Sequence, residues 1–394
     1  MGSWARVFGP GLAAAVLVLQ AGAAPGNDAP VAQAAPALRV SIAECIRELG
    51  SGSFAVREQA AHKLVLLGIA AREALVEAST DPDAEVRVRA RAVLATVFAS
   101  DFRDRLEAFS ADHDGSHQKT LPGWEQFAAS FGSGILARQL FVDMQRAEPE
   151  LLEALVEGGK PASEALDARC RGVIQQAVQT PPDGRLTLGT VASLLLVGAA
   201  EGVSVDEQVG GQLFPWLIWQ PVFQKNARES NRGSMLKKLL GMWVLKDASP
   251  AASTENLKFA AMFDLKAEGL NLATRLLADQ QYAAAARANA ILIVGKFGGP
   301  PQVAMIEQLL DDKSSCSGVQ GTTPPRQLEL QVRDVALAIV VRLTGQNLRD
   351  YGFRSVQPHA TTLFQVGTLT FSAPGVREAA LKKWVRWRAE HPGS

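Results

Sequence analysis

A nine-residue pattern, Val-Arg-x-x-Ala-x-x-x-Leu, occurs at Val56, Arg57, Ala60 and Leu64 and again 30 residues on at Val86, Arg87, Ala90 and Leu94. Steps of four residues place the Val, Ala and Leu on one face of a helix, and the small Ala lets a neighbouring helix approach closely. A shorter amphipathic stretch precedes each copy, at residues 42–49 and 70–78. Gly50-Ser51-Gly52-Ser53 and Thr80-Asp81-Pro82-Asp83 separate the two parts with helix breakers and N-cap residues. The unit is therefore helix, tight turn, helix. Such a hairpin cannot bury its own apolar face and needs copies of itself alongside.

Three further copies follow near the C-terminus. Arg287, Ala290 and Val294 repeat the pattern with Ala286 in place of its Val, and Gly298 falls in phase with Gly68. Val332, Arg333, Ala336 and Val340 repeat it again, as do Val376, Arg377 and Ala380 with Trp384 in the Leu position. Successive arginines in these last three copies lie 46 and 44 residues apart.

These segments resemble HEAT repeats, whose period is about 40–47 residues, and the chain resembles the exported HEAT-repeat proteins of bacteria. The resemblance implies an all-α chain in which HEAT-type helical hairpins form an irregular α-solenoid. It also implies structural roles for the Val, Arg and Ala of each copy. HEAT repeats usually pair the second-helix Arg with an Asp in the preceding turn. Only Asp81 holds that place here, while Ser51, Gln281, Gln327 and Phe371 stand at the other four positions. The buried Asp–Arg ladder is therefore expected to be mostly missing.

Along the chain, residues 1–24 read as a signal peptide, with Arg6 ahead of an apolar run at 12–19 and Ala21-Gly22-Ala23 as a small-x-small cleavage pattern. The run is well short of the ~20 apolar residues that span a bilayer, and no Cys stands directly behind it to take a lipid. Residues 25–37, with Pro25, Pro30 and Pro36, read as a flexible leader. N-terminal repeats are expected over 38–100, a divergent helical region over 101–270 and C-terminal repeats over 271–394. In the divergent region Pro122-Gly123, Pro149 and Pro161 open blocks, and Leu151, Leu152 and Leu155, then Leu236, Leu239, Leu240 and Trp243, recur at helical steps. Residues 351–372 lose the helical period and read as a loop with room for a short strand.

Composition narrows the function. The 394 residues carry 40 Lys and Arg against 40 Asp and Glu, so there is no excess field to hold a phosphate backbone or an anionic membrane, and nucleic acid is excluded as a partner. Cys45, Cys170 and Cys316 are odd in number and far apart, which makes no disulfide framework or zinc knuckle; buried packing is the expectation for Cys45 and Cys170. Asp112-His113-Asp114-Gly115-Ser116-His117 gathers metal-ligating side chains but has no helical or knuckle spacing, and it reads as a solvated turn. His62 reads as a surface residue of its repeat helix. No phosphate loop, nucleophile elbow or zinc-protease motif occurs. Catalytic residues, cofactors and metals are accordingly expected to be none.

Two apolar stretches, 186–200 and 209–223, are too short to span a membrane and read as buried helices. Trp216 and Trp219 in the second are the exception that an exposed binding patch would use. The function expected is a non-enzymatic, extracytoplasmic scaffold for a protein partner, periplasmic or secreted, with no membrane span after signal cleavage. A glycan- or small-ligand-binding envelope protein is the alternative, and an enzyme on a HEAT-like fold the last.

Overall fold

A computed structural model describes residues 29–112, 121–179, 186–246, 250–279, 282–316 and 328–392. Those residues are predominantly α-helical, with a single two-stranded pairing. The expected signal peptide and the cluster at His113, Asp114 and His117 lie outside the described residues. The chain divides into two compact units, residues 1–124 with 133–138, and residues 125–132 with 139–394.

The first unit begins with α1 (Ala29–Glu48), α2 (Phe54–Leu67), α3 (Arg72–Ala78) and α4 (Ala84–Ala111). Each packs on its sequence neighbour within a pair, α1 on α2 and α3 on α4, and on the equivalent helix of the other pair, α1 on α3 and α2 on α4. Ala60, Leu64, Ala90 and Val97 meet Leu49, Ala71 and Leu75 in the core between them. Gly50 permits the approach: a methyl group there would stand 2.8 Å from Cγ2 of Val86. The expected N-caps differ from each other, since Asp83 accepts a hydrogen bond from the Glu85 amide while Ser53 makes no side-chain cap.

Two boundaries fall elsewhere than the sequence suggests. Residues 29–37 of the expected leader belong to α1, whose alanines are the strongest helix formers. The limit expected at 100–101 lies inside α4, which continues unbroken for 28 residues. Residues of α5 (Trp124–Phe131) and α6 (Ile135–Ala147) are shared out between the two units.

In the second unit come α7 (Pro149–Glu157), α8 (Gly159–Gln179), α9 (Leu188–Ala199), α10 (Glu207–Trp219), α11 (Pro221–Glu229) and α12 (Gly233–Lys246). They are followed by α13 (Pro250–Met262), α14 (Lys266–Ala278), α15 (Ala284–Phe297), α16 (Val303–Glu307), α17 (Val332–Leu343) and α18 (Pro374–Glu390). Every residue of α9 from Leu188 to Gly198 is buried, because α7, α8, α10, α11 and α12 all pack on it. This accounts for the apolar stretch at 186–200; no helix among the described residues is long and apolar enough to cross a membrane. The two glycines that end α9 are points of close contact. Gly189 lies against the Asp143 carbonyl and Gly198 against the rings of Phe214 and Trp243, which are stacked at 3.7 Å.

Over α12 to α15 helices pack on the next and on the next but one: α12 on α13 and α14, α13 on α14 and α15. The segment expected as a loop at 351–372 contains short 3₁₀ turns and an antiparallel pair, β1 (Pro358–His359) with β2 (Leu363–Phe364). Lys296 anchors it, donating to the Thr361 carbonyl at 2.7 Å and to the Ala261 carbonyl at the end of α13 at 2.9 Å.

Candidate binding groove

The repeat residues divide into packing groups and a cationic clamp. Ala60, Ala90, Ala290, Ala336 and Ala380 are buried, as are Val86 and Val332, while Val56 and Val376 are half-buried. Arg57 donates to the Ser51 carbonyl and Arg87 to the Asp81 carbonyl, both at 2.6 Å. Arg287 reaches the Tyr282 carbonyl at 2.9 Å and Arg377 the Glu329 carbonyl at 2.7 Å. The acceptor in each case is main chain; for Arg57, Arg87 and Arg287 it lies in the turn just before the helix, whose side chains are therefore free to vary, whereas Glu329 is remote in sequence from Arg377. Even Asp81 turns its carboxylate to the Asp83 amide, at 2.8 Å.

Ion pairs expected to be mostly missing are present with other carboxylates. Arg57 pairs with Glu85 of the next copy at 3.1 Å, and Arg287 with Asp312 at 2.8 Å. Arg333 and Glu378 meet at 3.3 Å, Arg377 and Asp334 at 2.8 Å, so two pairs join the last two copies. Arg89, two residues past the motif arginine Arg87, links the first two copies through Glu58 at 2.6 Å. Arg138 uses the same device where no motif is legible. It donates to the Ser133 and Phe109 carbonyls, lies 3.6 Å from Asp112, and rests 4.8 and 5.2 Å from the rings of Phe109 and Trp124.

The cysteines are packing groups as well. All three are buried, and burial pushes the thiols of Cys170 and Cys316 up to about 12, where the nucleophilic thiolate is scarce at neutral pH. Among the described residues no group of three His, Cys, Asp or Glu is placed to hold a metal. His62 is exposed on α2.

A concavity lies elsewhere, between α10 and α13. Glu207, Gly211, Pro215 and Trp219 follow one another at steps of four on α10 and so share one face. The first three line a groove of about 730 Å³, closed on the other side by Ala252 and Glu255 of α13. Asp206 caps α10 by accepting from the Val209 amide at 3.0 Å and forms the near end. Trp219 stands at the far end, 49% exposed, donating Nε1 to Glu255 at 3.2 Å and meeting Phe259 edge-on at 5.8 Å. Its apolar neighbours Phe214 and Phe223 are fully buried and Trp216 is half-buried, so one aromatic stretch supplies both core and surface.

Chemically the groove sets carboxylates and side-chain amides beside the apolar surfaces of Pro215 and Ala252, with an indole nearby. Gln208 and Gln212 add amide oxygens, and Pro215, having no N–H, cannot donate to the Gly211 carbonyl four residues back. Among the described residues no Lys or Arg lines the groove. Of these residues only Trp219 stood out in the sequence. The four-residue step from Glu207 to Trp219 was a readable signal for the α10 wall. Nothing in the sequence pairs it with Glu255.

No protein-family model, curated protein or solved structure matches the chain.

Proposed function

We propose that the chain is a non-enzymatic, extracytoplasmic scaffold of HEAT type that holds a protein partner. The open α10–α13 groove with half-exposed Trp219 at its end carries this reading, since exposed aromatic side chains beside a concavity are where protein contacts concentrate their energy. The solenoid part of the proposal draws support from α12 to α15, which pack on the next and the next but one, and from Arg57, Arg87 and Arg287, which repeat one clamp to the preceding turn. Export is argued from the N-terminal charge, apolar run and small-residue pattern of the sequence.

A second reading, glycan binding, is favoured by one observation. An indole beside carboxylates and amides also suits a sugar, whose hydroxyls seek acceptors while its ring stacks on an aromatic face. Affinity capture separates the two. Tagged residues 25–394, exposed to the extracytoplasmic fraction of the producing cells under mild cross-linking, should recover the same protein partner reproducibly by mass spectrometry. Recovery of a bound glycan or small molecule with no protein would overturn the scaffold reading.

A further inference from the structure

We infer that the α10–α13 groove receives a cationic, Lys- or Arg-bearing segment of the partner; this rests on the scaffold reading and specifies the chemistry of its site. Asp206, Glu207 and Glu255 bring three carboxylates to one groove, and among the described residues no basic side chain lines it. Local compensation is incomplete. Lys258 pairs with Glu255 at 2.9 Å and offsets one charge, and the α10 N-terminus offsets about half of another. The groove stays negative on a chain whose overall charge is zero, so attraction for a cation there is local and does not come from a net charge of the whole chain.

The uncharged lining points the same way. Gln208 and Gln212 line the groove with side-chain amides whose oxygens can accept, and the Gly211 carbonyl has no intrahelical donor four residues on, because Pro215 stands there. Such a wall suits a ligand rich in donors: an ammonium offers three and a guanidinium five. Trp219 completes the fit, because a half-exposed indole can pack the aliphatic stem of Lys or Arg and attract its charged head. An anionic segment would be repelled, and a neutral sugar could hydrogen-bond to the carboxylates but would gain no net charge attraction from their excess.

The test uses the full chain and fluorescence anisotropy with a labelled octapeptide of alternating Lys and Gly. Its Glu-Gly counterpart and a neutral linear oligosaccharide serve as comparison probes. The Lys peptide should bind, the Glu peptide should not, and the affinity should fall as ionic strength rises from about 0.01 to about 0.15 M, where the screening length shrinks from about 30 to about 8 Å. Replacing Glu207→Gln and Glu255→Gln together should weaken binding about tenfold, and Trp219→Phe should weaken it less than Trp219→Ala. Circular dichroism checks that each variant is folded; if the double variant is not, Glu207→Gln alone carries the test from an exposed position.

Unchanged affinity in the folded glutamine variants, absence of Lys-peptide binding, or oligosaccharide binding lost in Trp219→Ala would each overturn the inference. The scaffold reading fails separately. A protein partner still captured by the groove variants would leave the scaffold standing and remove the groove from its interface.

Discussion

Asp334 is 1% exposed, and its Oδ2 accepts from the Gln331 amide at 2.9 Å and from Arg377 at 2.8 Å, while Oδ1 has no hydrogen-bond partner. A buried pair of this kind adds little over apolar packing, but removing one member leaves a charge stranded. Burial raises the Asp334 carboxyl above its ordinary range, against the opposing pull of the Gln331 amide and Arg377. The folded state therefore holds this proton more tightly than the unfolded chain does. Whatever Asp334 contributes is fully present below its ordinary value and declines as pH rises through the raised one. Arg377→Met should cost about 3–5 kcal/mol at neutral pH and less in acid, where a protonated Asp334 needs no cation. Urea unfolding at several pH values measures this, and a cost independent of pH would show that Arg377 acts by packing alone.

At the scale of elements, close approach decides more than propensity. A Cβ on Gly189 would run into the Asp143 carbonyl, which a helix backbone cannot easily yield, whereas a Cβ on Gly211 would meet nothing within 4 Å. Gly189→Ala should thus destabilise by about 1–3 kcal/mol through overpacking of α9. Gly211→Ala should be neutral or stabilise by up to about 1 kcal/mol through helix propensity. Thermal melts of the two variants give the comparison, and equal melting temperatures would contradict the packing of α9 described above. Helical steps at Leu151, Leu152 and Leu155, and at Leu236, Leu239 and Leu240, were legible because one buried face leaves its period in the sequence. α9 shows no such period; being buried all round, it reads only as an apolar run. The clamp was half legible. Arg57, Arg287 and Arg377 stand at recurrent positions, but their carboxylates lie 25 to 43 residues away, at Asp312 and Asp334 among others, and no spacing rule reaches that far.

For the whole molecule, two units and an open groove describe a chain whose interior is spent on helix packing and whose motif arginines are committed to turns and neighbouring copies. Trp219 and Glu255 are the groove's contribution to a surface that could do work on another molecule. Binding of a protein at that surface is the central claim. It is tested most directly by site-specific photo-cross-linking in the producing cells, with benzoylphenylalanine in place of Gln212 in the groove or, as a control, in place of exposed Lys382 on α18. The predicted result is a discrete protein adduct from position 212, lost when Glu207→Gln and Glu255→Gln are added, with none from position 382. No protein adduct from position 212, or the same adducts from both positions, would contradict it.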